Sequence, residues 1–487
     1  MAGIAGMFGA GSDKERAAGM IETMRHRGAD SREIRQYEQA ALGVCAGRLS
    51  PARGNGFTQK DNIAVLLDGE IYNDRPRGQS DADVVMDEFE KHGLAFPAYL
   101  EGVFASAVYD GKDVVLARDP VGVRPLYAGT AKNGALCFAS EMKALSGLVE
   151  DVWEMHPSTT YSARHGTGGY VARQPDITMP AEAGEAAEKL RVILSESVKR
   201  RIEDGAVGAC LLSGGLDSSV IAAAAREIGA EVPAVTVGVE GAQDLENAEL
   251  MAKHLNMKHE VHIFDASEIE TMVPEAVRIL ESFDEDCVSG AISNLFASRL
   301  ASGFTNCILS GEGGDELFGG YHLLKELPTD LDRLHMMHKL VAIAYNTAVQ
   351  RLDRAMMGNG INYRTPFIDP HVIAFADSAP VQWKIHPSGN GTLVEKWILR
   401  EAFRDLLPDR IYRRVKLRFS AGTGTDDLMD EIAGRKLEKD AFTEESRNTE
   451  GGYRLNSPKE MWYYRIFKEN FPGPAFEKLV GRWDPGK

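Results

Sequence analysis

Leu211-Leu212-Ser213-Gly214-Gly215-Leu216-Asp217-Ser218-Ser219-Val220 is the stretch that decides the fold of the C-terminal part of the chain. An apolar run at 207–212 predicts a buried strand, and the segment 220–226 consists mostly of residues that favour helix. The predicted order is therefore strand, tight glycine loop and helix N-terminus. Glycines let backbone N–H groups approach an anion, and three serine hydroxyls add donors, so the loop predicts a phosphate site. An ordinary serine-capped turn is the alternative, but it needs only one hydroxyl.

The loop is not a Walker A motif, because it has no GxxxxGK(S/T) pattern and no lysine. Its sequence SGGLDSS (213–219) resembles the PP-loop, the pyrophosphate-binding loop of the ATP pyrophosphatases, which activate a substrate as its adenylate. Within that group the chain resembles the asparagine synthetases over nearly its whole length. The resemblance implies ATP and Mg²⁺ as cofactors. The nucleotide-binding residues that it implies are Leu212, Ser213, Gly214, Gly215, Asp217, Ser218, Ser219, Val237, Gly238, Ser310 and Gly311.

Length and composition limit the class of protein. A chain of 487 residues predicts two domains, and its 44% hydrophobic and 26% charged residues are typical of a soluble globular protein. A net charge of -17 argues against nucleic acid as the main partner, because phosphate backbones require a basic surface. No apolar run approaches the ~18 residues of a membrane span. The five scattered cysteines predict buried free thiols and a cytoplasmic location.

The N-terminal part predicts a layered α+β domain, because many short strands accompany a few helices. A hairpin is predicted at 104–119, and amphipathic helices are predicted at about 15–24 and 81–91. MAGIAGMFG (1–9), RHRG (25–28), DGEIYN (68–73) and RDPVGVRPLY (118–127) resemble the glutamine amidotransferase domain of asparagine synthetases, an N-terminal nucleophile hydrolase. The resemblance implies that glutamine would be held by Arg48, Gly69, Glu70 and Asp81.

Two departures from that family fall on its glutaminase chemistry. The family has a nucleophilic cysteine after the first methionine, and here this residue is Ala2, whose methyl group cannot attack an amide. The family also has an asparagine that donates to the oxyanion, where this chain has Asp68; an ionised carboxylate only accepts. An engineered change could explain Ala2 alone, but the pair favours natural loss of activity. We therefore predict no glutaminase activity and a domain that is retained for its structure.

The second domain is predicted to be a doubly wound α/β fold. Turn residues at 166–181 mark a linker, which gives the predicted units 1–165 (amidotransferase-like), 182–475 (synthetase) and 476–487 (C-terminal tail). Helices predicted at 182–203 and 248–255 alternate with apolar strand segments. This alternation predicts a parallel sheet with the nucleotide at the carboxyl ends of its strands.

A second strand-to-glycine transition occurs at 306–321 and carries SGEGGDELFGGY (310–321), which matches the family motif completely. Three carboxylates occur within five residues, and Mg²⁺ is typically held by one or two carboxylates plus phosphate oxygens. We expect Asp217 and Asp315 to share this ion, and Glu312 to orient substrate or act as a base. An acidic surface turn is the alternative, and the five glycines of this stretch disfavour it.

Lys416 lies in a basic segment, RRVKLRFS (413–420), and takes the position of the family's catalytic lysine. A cation there would stabilise the charge that develops on the α-phosphate and on leaving pyrophosphate. A solvated basic face is the alternative interpretation of the charge pattern.

The acceptor pocket is where the resemblance weakens. Asparagine synthetases have a Thr-Thr-Ile-Arg run in this region, and here Asp286, Cys287 and Ser289 replace the threonines and the arginine. A site that has lost a cation and gained an anion puts aspartate in doubt as the substrate. Two alternatives remain. In the first, the acid carries a cationic or extended group that faces Asp286. In the second, Arg364 or Lys396 binds the acid in place of the family's arginine.

The predicted function is an asparagine synthetase-like, AMP-forming ATP-dependent carbon–nitrogen ligase that joins a small carboxylate to ammonia or another amine. The alternatives are a β-lactam synthetase-like ligase that closes an amine of its substrate onto its own adenylate, and a non-catalytic nucleotide-binding scaffold. The sequence is compatible with a homodimer, and no nucleic acid or membrane partner is expected.

Overall fold

The computed structural model describes residues 2–47, 53–389, 391–437, 442–443 and 447–483. Arg48, one of the predicted glutamine-binding residues, lies outside the described residues. Among the described residues, no helix combines the length and the apolar character that crossing a bilayer requires. All five cysteines are buried and free, as predicted.

The N-terminal domain consists of two antiparallel sheets and two α-helices. Its strands are β1 (Ala2–Phe8), β2 (Ser31–Gln36), β3 (Ala40–Ala46), β4 (Phe57–Lys60), β5 (Ile63–Ile71), β6 (Gly102–Tyr109), β7 (Val114–Arg118), β8 (Tyr127–Ala131), β9 (Leu136–Ala139), β10 (Val149–Glu154), β11 (Thr159–Ser162) and β12 (Gly166–Gly169). Its helices are α1 (Lys14–Thr23) and α2 (Asp81–His92), with 3-10 turns at Arg25–Arg27, Gly93–Tyr99 and Met142–Ala144. The strand orders are β10-β8-β9-β1-β3-β2 and β12-β11-β7-β6-β5-β4.

The layering of this domain follows from alternation along its strands. Successive side chains of a strand point to opposite faces of the sheet. In β1, Ile4 packs in the layer between the two sheets, whereas Met7 packs with Ile21 of α1. In β5, Leu66 faces the same middle layer, and Leu67 packs on the side of α2. Helix, sheet, sheet and helix therefore form four layers, and the predicted α+β class is confirmed.

The C-terminal domain is built on a five-stranded parallel sheet of order β15-β14-β13-β16-β17. Its strands are β13 (Ala209–Leu211), β14 (Ala234–Gly238), β15 (His259–Ile263), β16 (Cys307–Leu309) and β17 (Asn362–Arg364), with a separate hairpin of β18 (Ile385–Pro387) and β19 (Leu393–Glu395). The α-helices are α3 (Ala183–Ile202), α4 (Leu216–Glu227), α5 (Gln243–His254), α6 (Ala266–Leu280), α7 (Glu285–Ala301), α8 (Gly314–Phe318), α9 (Leu323–Glu326), α10 (Asp330–Ile343), α11 (Ala348–Met357), α12 (Pro370–Ser378), α13 (Val381–Lys384), α14 (Trp397–Ala402), α15 (Asp409–Tyr412), α16 (Phe419–Gly422), α17 (Thr425–Lys436), α18 (Pro458–Asn470) and α19 (Pro474–Glu477). Two 3-10 turns lie at Ala344–Asn346 and Arg404–Leu406.

The predicted parallel sheet and most predicted helices are confirmed, but the structure differs from two predicted domain boundaries and one predicted helix boundary. Gly166–Gly169, assigned to the linker, forms strand β12 and pairs with β11, so the first domain's sheet extends past residue 165. The segment assigned as a tail from residue 476 is packed: Phe476 and Val480 are buried in the core. Helix α5 begins at Gln243, earlier than predicted, with acidic residues in its first turn that suit a helix N-terminus.

The two domains meet through a buried cluster of arginines and carboxylates. From the first domain, Arg27 and Arg124 bind the two oxygens of Asp353 on α11 at 2.7 and 3.0 Å. From the second, Arg364 binds Glu70 at 2.8 Å. These five side chains are at most 1% exposed. We call these residues the interdomain ion cluster. A buried ion pair contributes little by itself, but loss of one partner leaves an uncompensated charge.

We predict that Asp353→Asn destabilises the protein by about 3–5 kcal/mol, because it removes the buried carboxylate that pairs with Arg124 and one of the carboxylates that pair with Arg27. The measurement is the midpoint of urea unfolding. Asp405→Asn is the matched control: Asp405 is 65% exposed and pairs with Arg191, so its loss should cost less than about 1 kcal/mol. Equal losses for the two variants would show that the cluster does not hold the domains together.

Candidate active site

Two glycine loops meet at the carboxyl ends of neighbouring strands. The loop 213–219 follows β13 and the loop 310–316 follows β16, and these strands are adjacent and parallel. The loops pack so closely that a Cβ added to Gly311 would lie 2.7 Å from the backbone nitrogen of Ser218. A Cβ on Gly314 would lie 2.7 Å from Cγ of Asp217. The glycines therefore allow the two motifs to form one site.

Serine hydroxyls fix the shape of the first loop. Ser213 N donates to Ser218 Oγ at 3.1 Å, and the two hydroxyl oxygens are 2.9 Å apart. Ser219 Oγ donates to the carbonyl of Gly215 at 2.7 Å. Gly214 has a φ of 72°, and a Cβ there would lie 2.5 Å from the carbonyl oxygen of Asp244, so only glycine fits.

A cavity of about 380 Å³ opens beside the two loops. Among its lining residues are these predicted site residues: Leu212, Ser213, Asp217, Ser218, Val237, Asp286, Ser310, Gly311, Glu312, Asp315 and Lys416. Gly215 lines a smaller adjoining cavity instead. Five other predicted residues do not line the main cavity: Gly214, Ser219, Gly238, Cys287 and Ser289.

Two lysines bind the predicted metal-binding carboxylates, and one of them bridges both. Lys396 Nζ donates to Asp217 Oδ2 at 2.5 Å and also contacts Asp315 Oδ1. Lys416 Nζ donates to Asp315 Oδ2 at 2.6 Å. Because one ammonium contacts both carboxylates, Asp217 and Asp315 face each other across the junction of the loops. Gly320 makes room for this arrangement, since a Cβ there would overlap both Asp315 and Lys396.

The residues present fit Mg²⁺ when a nucleotide is bound. Asp217 Oδ1 is buried and has no hydrogen-bond partner, so one oxygen remains for a ligand beside the facing carboxylate of Asp315. Among the described residues, no group of three or more histidine, cysteine or acidic side chains has the geometry of a metal site. Mg²⁺ needs only one or two carboxylates when phosphate oxygens and water complete its shell.

The electrostatics of the cavity favour both proton transfer and phosphate binding. Burial raises the pKa of Glu312, and Arg351 at 3.6 Å opposes this rise only in part. Burial also opposes the charge on Lys416, but the neighbouring carboxylates of Asp315 and Asp217 outweigh it and raise the pKa of this lysine. A carboxyl with a raised pKa suits an acid–base role, and a charged lysine suits an anion.

At the acceptor end of the cavity, two arginines compensate the charge of Asp286. Asp286 Oδ1 accepts from Arg418 at 3.0 Å, and its other oxygen lies 3.6 Å from Arg351. Cys287 and Ser289 are buried on α7. Arg364 belongs to the interdomain ion cluster, and Lys396 lies between Asp217 and Asp315.

Sequence reasoning missed Arg351 and Glu316, and it named Lys396 only as a possible partner of the acid substrate, not of Asp217 and Asp315. Lys396 adopts a left-handed backbone conformation (φ 53°), which is rare for lysine and indicates a constrained position. Gly290 makes room for the side chain of Arg351, because a Cβ there would lie 2.9 Å from the arginine Cδ. Burial and the carboxylates of Glu312 and Asp315 raise the pKa of Glu316 to about 7.

The side chains that the structure describes in the predicted glutamine site are buried, and its carboxylates are already paired. Asp68 accepts from Arg27 at 2.9 Å and from Ser140 at 3.1 Å. Glu70 is held by Arg364, and Asp81 accepts from Arg53 at 3.3 Å. Four of the predicted residues are at most 2% exposed: Ala2, Asp68, Glu70 and Asp81. Gly69 has a φ of 149°, and a Cβ there would overlap the carbonyl of Val103.

Comparison with known proteins agrees with both halves of this architecture. The chain matches the family model described as Asparagine synthase over residues 189–338 and 325–471, and the Glutamine amidotransferase domain over residues 1–162. It is 31% identical to the glutamine-hydrolyzing asparagine synthetase B of Escherichia coli (strain K12), an alignment that covers 99% of this chain and 93% of that protein. It is 29% identical to the glutamine-hydrolyzing asparagine synthetase 2 of Arabidopsis thaliana over 96% of this chain and 86% of that protein.

A glutamine-hydrolyzing asparagine synthetase of Asparagus officinalis is also 29% identical, over 97% of this chain and 86% of that protein. Two family models account for most of the chain, and the relatives align over nearly all of it. The chain therefore belongs to the asparagine synthetase family of ATP-dependent amide ligases.

Proposed function

We propose that the protein activates a small carboxylate as its adenylate, releases pyrophosphate, and transfers the acyl group to ammonia or another amine without hydrolysing glutamine. The observation that carries this proposal is the single cavity in which the facing carboxylates of Asp217 and Asp315 adjoin Lys416 and the PP-loop. Family membership supports the ligase class. The loss of glutaminase chemistry rests on Ala2 and Asp68.

In the first step, a carboxylate oxygen of the substrate attacks the α-phosphorus of ATP, and the bond from this phosphorus to the bridging oxygen breaks. Asp217 and Asp315 would hold Mg²⁺, which neutralises phosphate charge when bound. Lys416 would stabilise the charge that develops on the phosphates, and Ser213 and Ser218 would donate to leaving pyrophosphate.

In the second step, the nitrogen of the amine attacks the acyl carbon, a C–N bond forms, and AMP leaves with the former carboxylate oxygen. The amine must lose a proton in this step. We assign its acceptance to Glu312, because this carboxyl lines the cavity and burial raises its pKa toward the working range of a general base.

We predict that ATP is converted to AMP and pyrophosphate in the presence of Mg²⁺ and an acid substrate. Asp217→Asn and Asp315→Asn should each raise the Mg²⁺ concentration for half-maximal activity by roughly tenfold or more, because each removes a charged ligand. Lys416→Ala should lower kcat by roughly 10²–10³-fold. Product analysis by chromatography measures all three effects. Lys60→Ala, at a residue 58% exposed on the first domain, is the matched control.

Formation of ADP and phosphate in place of AMP and pyrophosphate would contradict this assignment. Binding of ATP without any turnover across a panel of acids would favour the non-catalytic scaffold instead.

We predict no release of glutamate from glutamine above the uncatalysed rate. The double change Ala2→Cys with Asp68→Asn restores the nucleophile and the oxyanion donor, yet it should recover little activity, because Glu70 and Asp81 remain bound to Arg364 and Arg53. The measurement is glutamate release, with ammonium-supported ligation as the control for a folded enzyme. Glutaminase activity of the natural protein would overturn the proposal.

We predict that acids carrying a second, cationic group are adenylated better than aspartate. Two unit charges ~4 Å apart near a protein surface interact by roughly 4 kcal/mol. Arg418 and Arg351 offset part of the charge of Asp286, so a smaller part of this energy remains to select a cationic group. The kcat/KM for pyrophosphate release should favour a cationic amino acid by roughly tenfold. Asp286→Asn should remove most of this preference. A natural preference for aspartate would show that Arg351 and Arg418 neutralise Asp286 fully.

A further inference from the structure

A second cavity of about 290 Å³ adjoins the loop 310–316, which we call the carboxylate loop, and its lining includes no residue of the PP-loop. First-domain residues Pro120 and Val121, the connecting segment at 170–174, and second-domain residues including Val341 and Ile373 line it. We call this space the rear cavity. It shares Gly313 with the active-site cavity, but otherwise its lining is distinct.

The wall between the two cavities is thin. Gly313 lines both of them and has no side chain, so at this point only backbone separates them. On α11, Ala348 lines the active-site cavity and the next residue, Val349, lines the rear cavity. Tyr321 lines the active-site cavity, and its hydroxyl donates to Oε1 of Glu316, which lines the rear cavity.

Glu316 leaves one carboxyl oxygen without a hydrogen-bond partner beside an apolar space. The residue is 4% exposed, and its Oε2 is buried without a hydrogen bond. No lysine, arginine or histidine among the described residues forms an ion pair with it. A buried carboxylate of this kind requires a cation or a strong donor to offset its desolvation. Most other lining residues are apolar, so the fitting ligand combines a cationic N–H group with an apolar body.

The volume of the rear cavity favours an organic amine over ammonia. One water molecule accounts for about 30 Å³ of liquid, and an ammonium ion of similar size would leave most of the apolar lining unfilled. A short alkyl chain would bury against Val341, Val349 and Ile373, and each buried methylene group would strengthen binding roughly fourfold.

We propose that the rear cavity binds a primary alkylammonium ion whose N–H group donates to Oε2 of Glu316, and that it is the entry site of the nitrogen donor. The ion releases one proton to solvent water before the neutral amine attacks the adenylate, and the second proton is released in the attack itself. This inference rests on the proposed function, because it names the class of amine that the ligase uses. The position behind Gly313 places the amine next to the cavity in which the adenylate would form.

The probes are n-propylamine and ammonia, used as nitrogen donors with ATP, Mg²⁺ and the best acid substrate. The natural protein should show a KM for propylamine roughly tenfold or more below its KM for ammonia. Ala172→Phe fills the rear cavity from its half-buried rim and should raise the KM for propylamine by roughly tenfold. Glu316→Gln should raise it similarly, because it removes the charge and keeps the shape.

Ala29→Phe is the matched control, since exposed Ala29 lines a separate first-domain cavity of about the same 290 Å³ and should leave the KM unchanged. Pyrophosphate exchange, measured without any amine, reports adenylation separately. Normal exchange with a propylamine KM that neither Ala172→Phe nor Glu316→Gln changes would overturn the inference and leave the proposed function intact.

Complete absence of exchange would instead reject the proposed function. Calorimetric binding of propylammonium to the natural protein, compared with Ala172→Phe and Glu316→Gln, then still decides the inference. Equal binding, or none, for all three proteins would overturn it.

Discussion

The ion pair between Arg364 and Glu70 is the contact on which the geometry of the active site depends. Arg364 ends strand β17, and its carbonyl accepts from the backbone nitrogen of Ser310, the first residue of the carboxylate loop. Its side chain binds Glu70 of the first domain at 2.8 Å. The first domain therefore positions strand β17, and β17 positions the loop that carries Glu312 and Asp315. A buried guanidinium with a fixed fork geometry suits this role, because it orients its partners as well as neutralising them.

The same contact gives the first domain a structural role in the chain. Glu70 would hold the amino group of glutamine in the family, and here it neutralises Arg364 instead. Asp68 similarly serves as a counter-ion to Arg27, which also binds Asp353 across the domain boundary. Carboxylates of the predicted glutamine site thus stabilise the interface. In the account we propose, the domain has lost its glutaminase activity and is retained because it stabilises this interface.

The sequence predicted the parts of the site that lie within one motif, and it could not predict the contacts between motifs. The strand, glycine loop and helix around Asp217 are local and were predicted correctly, as was the parallel sheet. Lys396 lies 179 residues from Asp217, so its bridging position depends on tertiary packing that no local pattern encodes. Arg351 and Arg418 likewise approach Asp286 from distant segments, and only the folded chain shows that this carboxylate is partnered. Ser289 was assigned to the acceptor pocket because its position matched a family residue, but helix α7 places it in the core.

The central claim is that the substrate carboxylate forms an adenylate in the cavity of Asp217, Asp315 and Lys416. Attack of a carboxylate oxygen on the α-phosphorus, followed by displacement of AMP, transfers that oxygen to AMP. The most direct test is therefore turnover of an acid labelled with ¹⁸O in its carboxylate, followed by mass spectrometry of the products. The account predicts one labelled oxygen in AMP and none in pyrophosphate. Label in inorganic phosphate together with ADP, or amide formation without label in AMP, would contradict it.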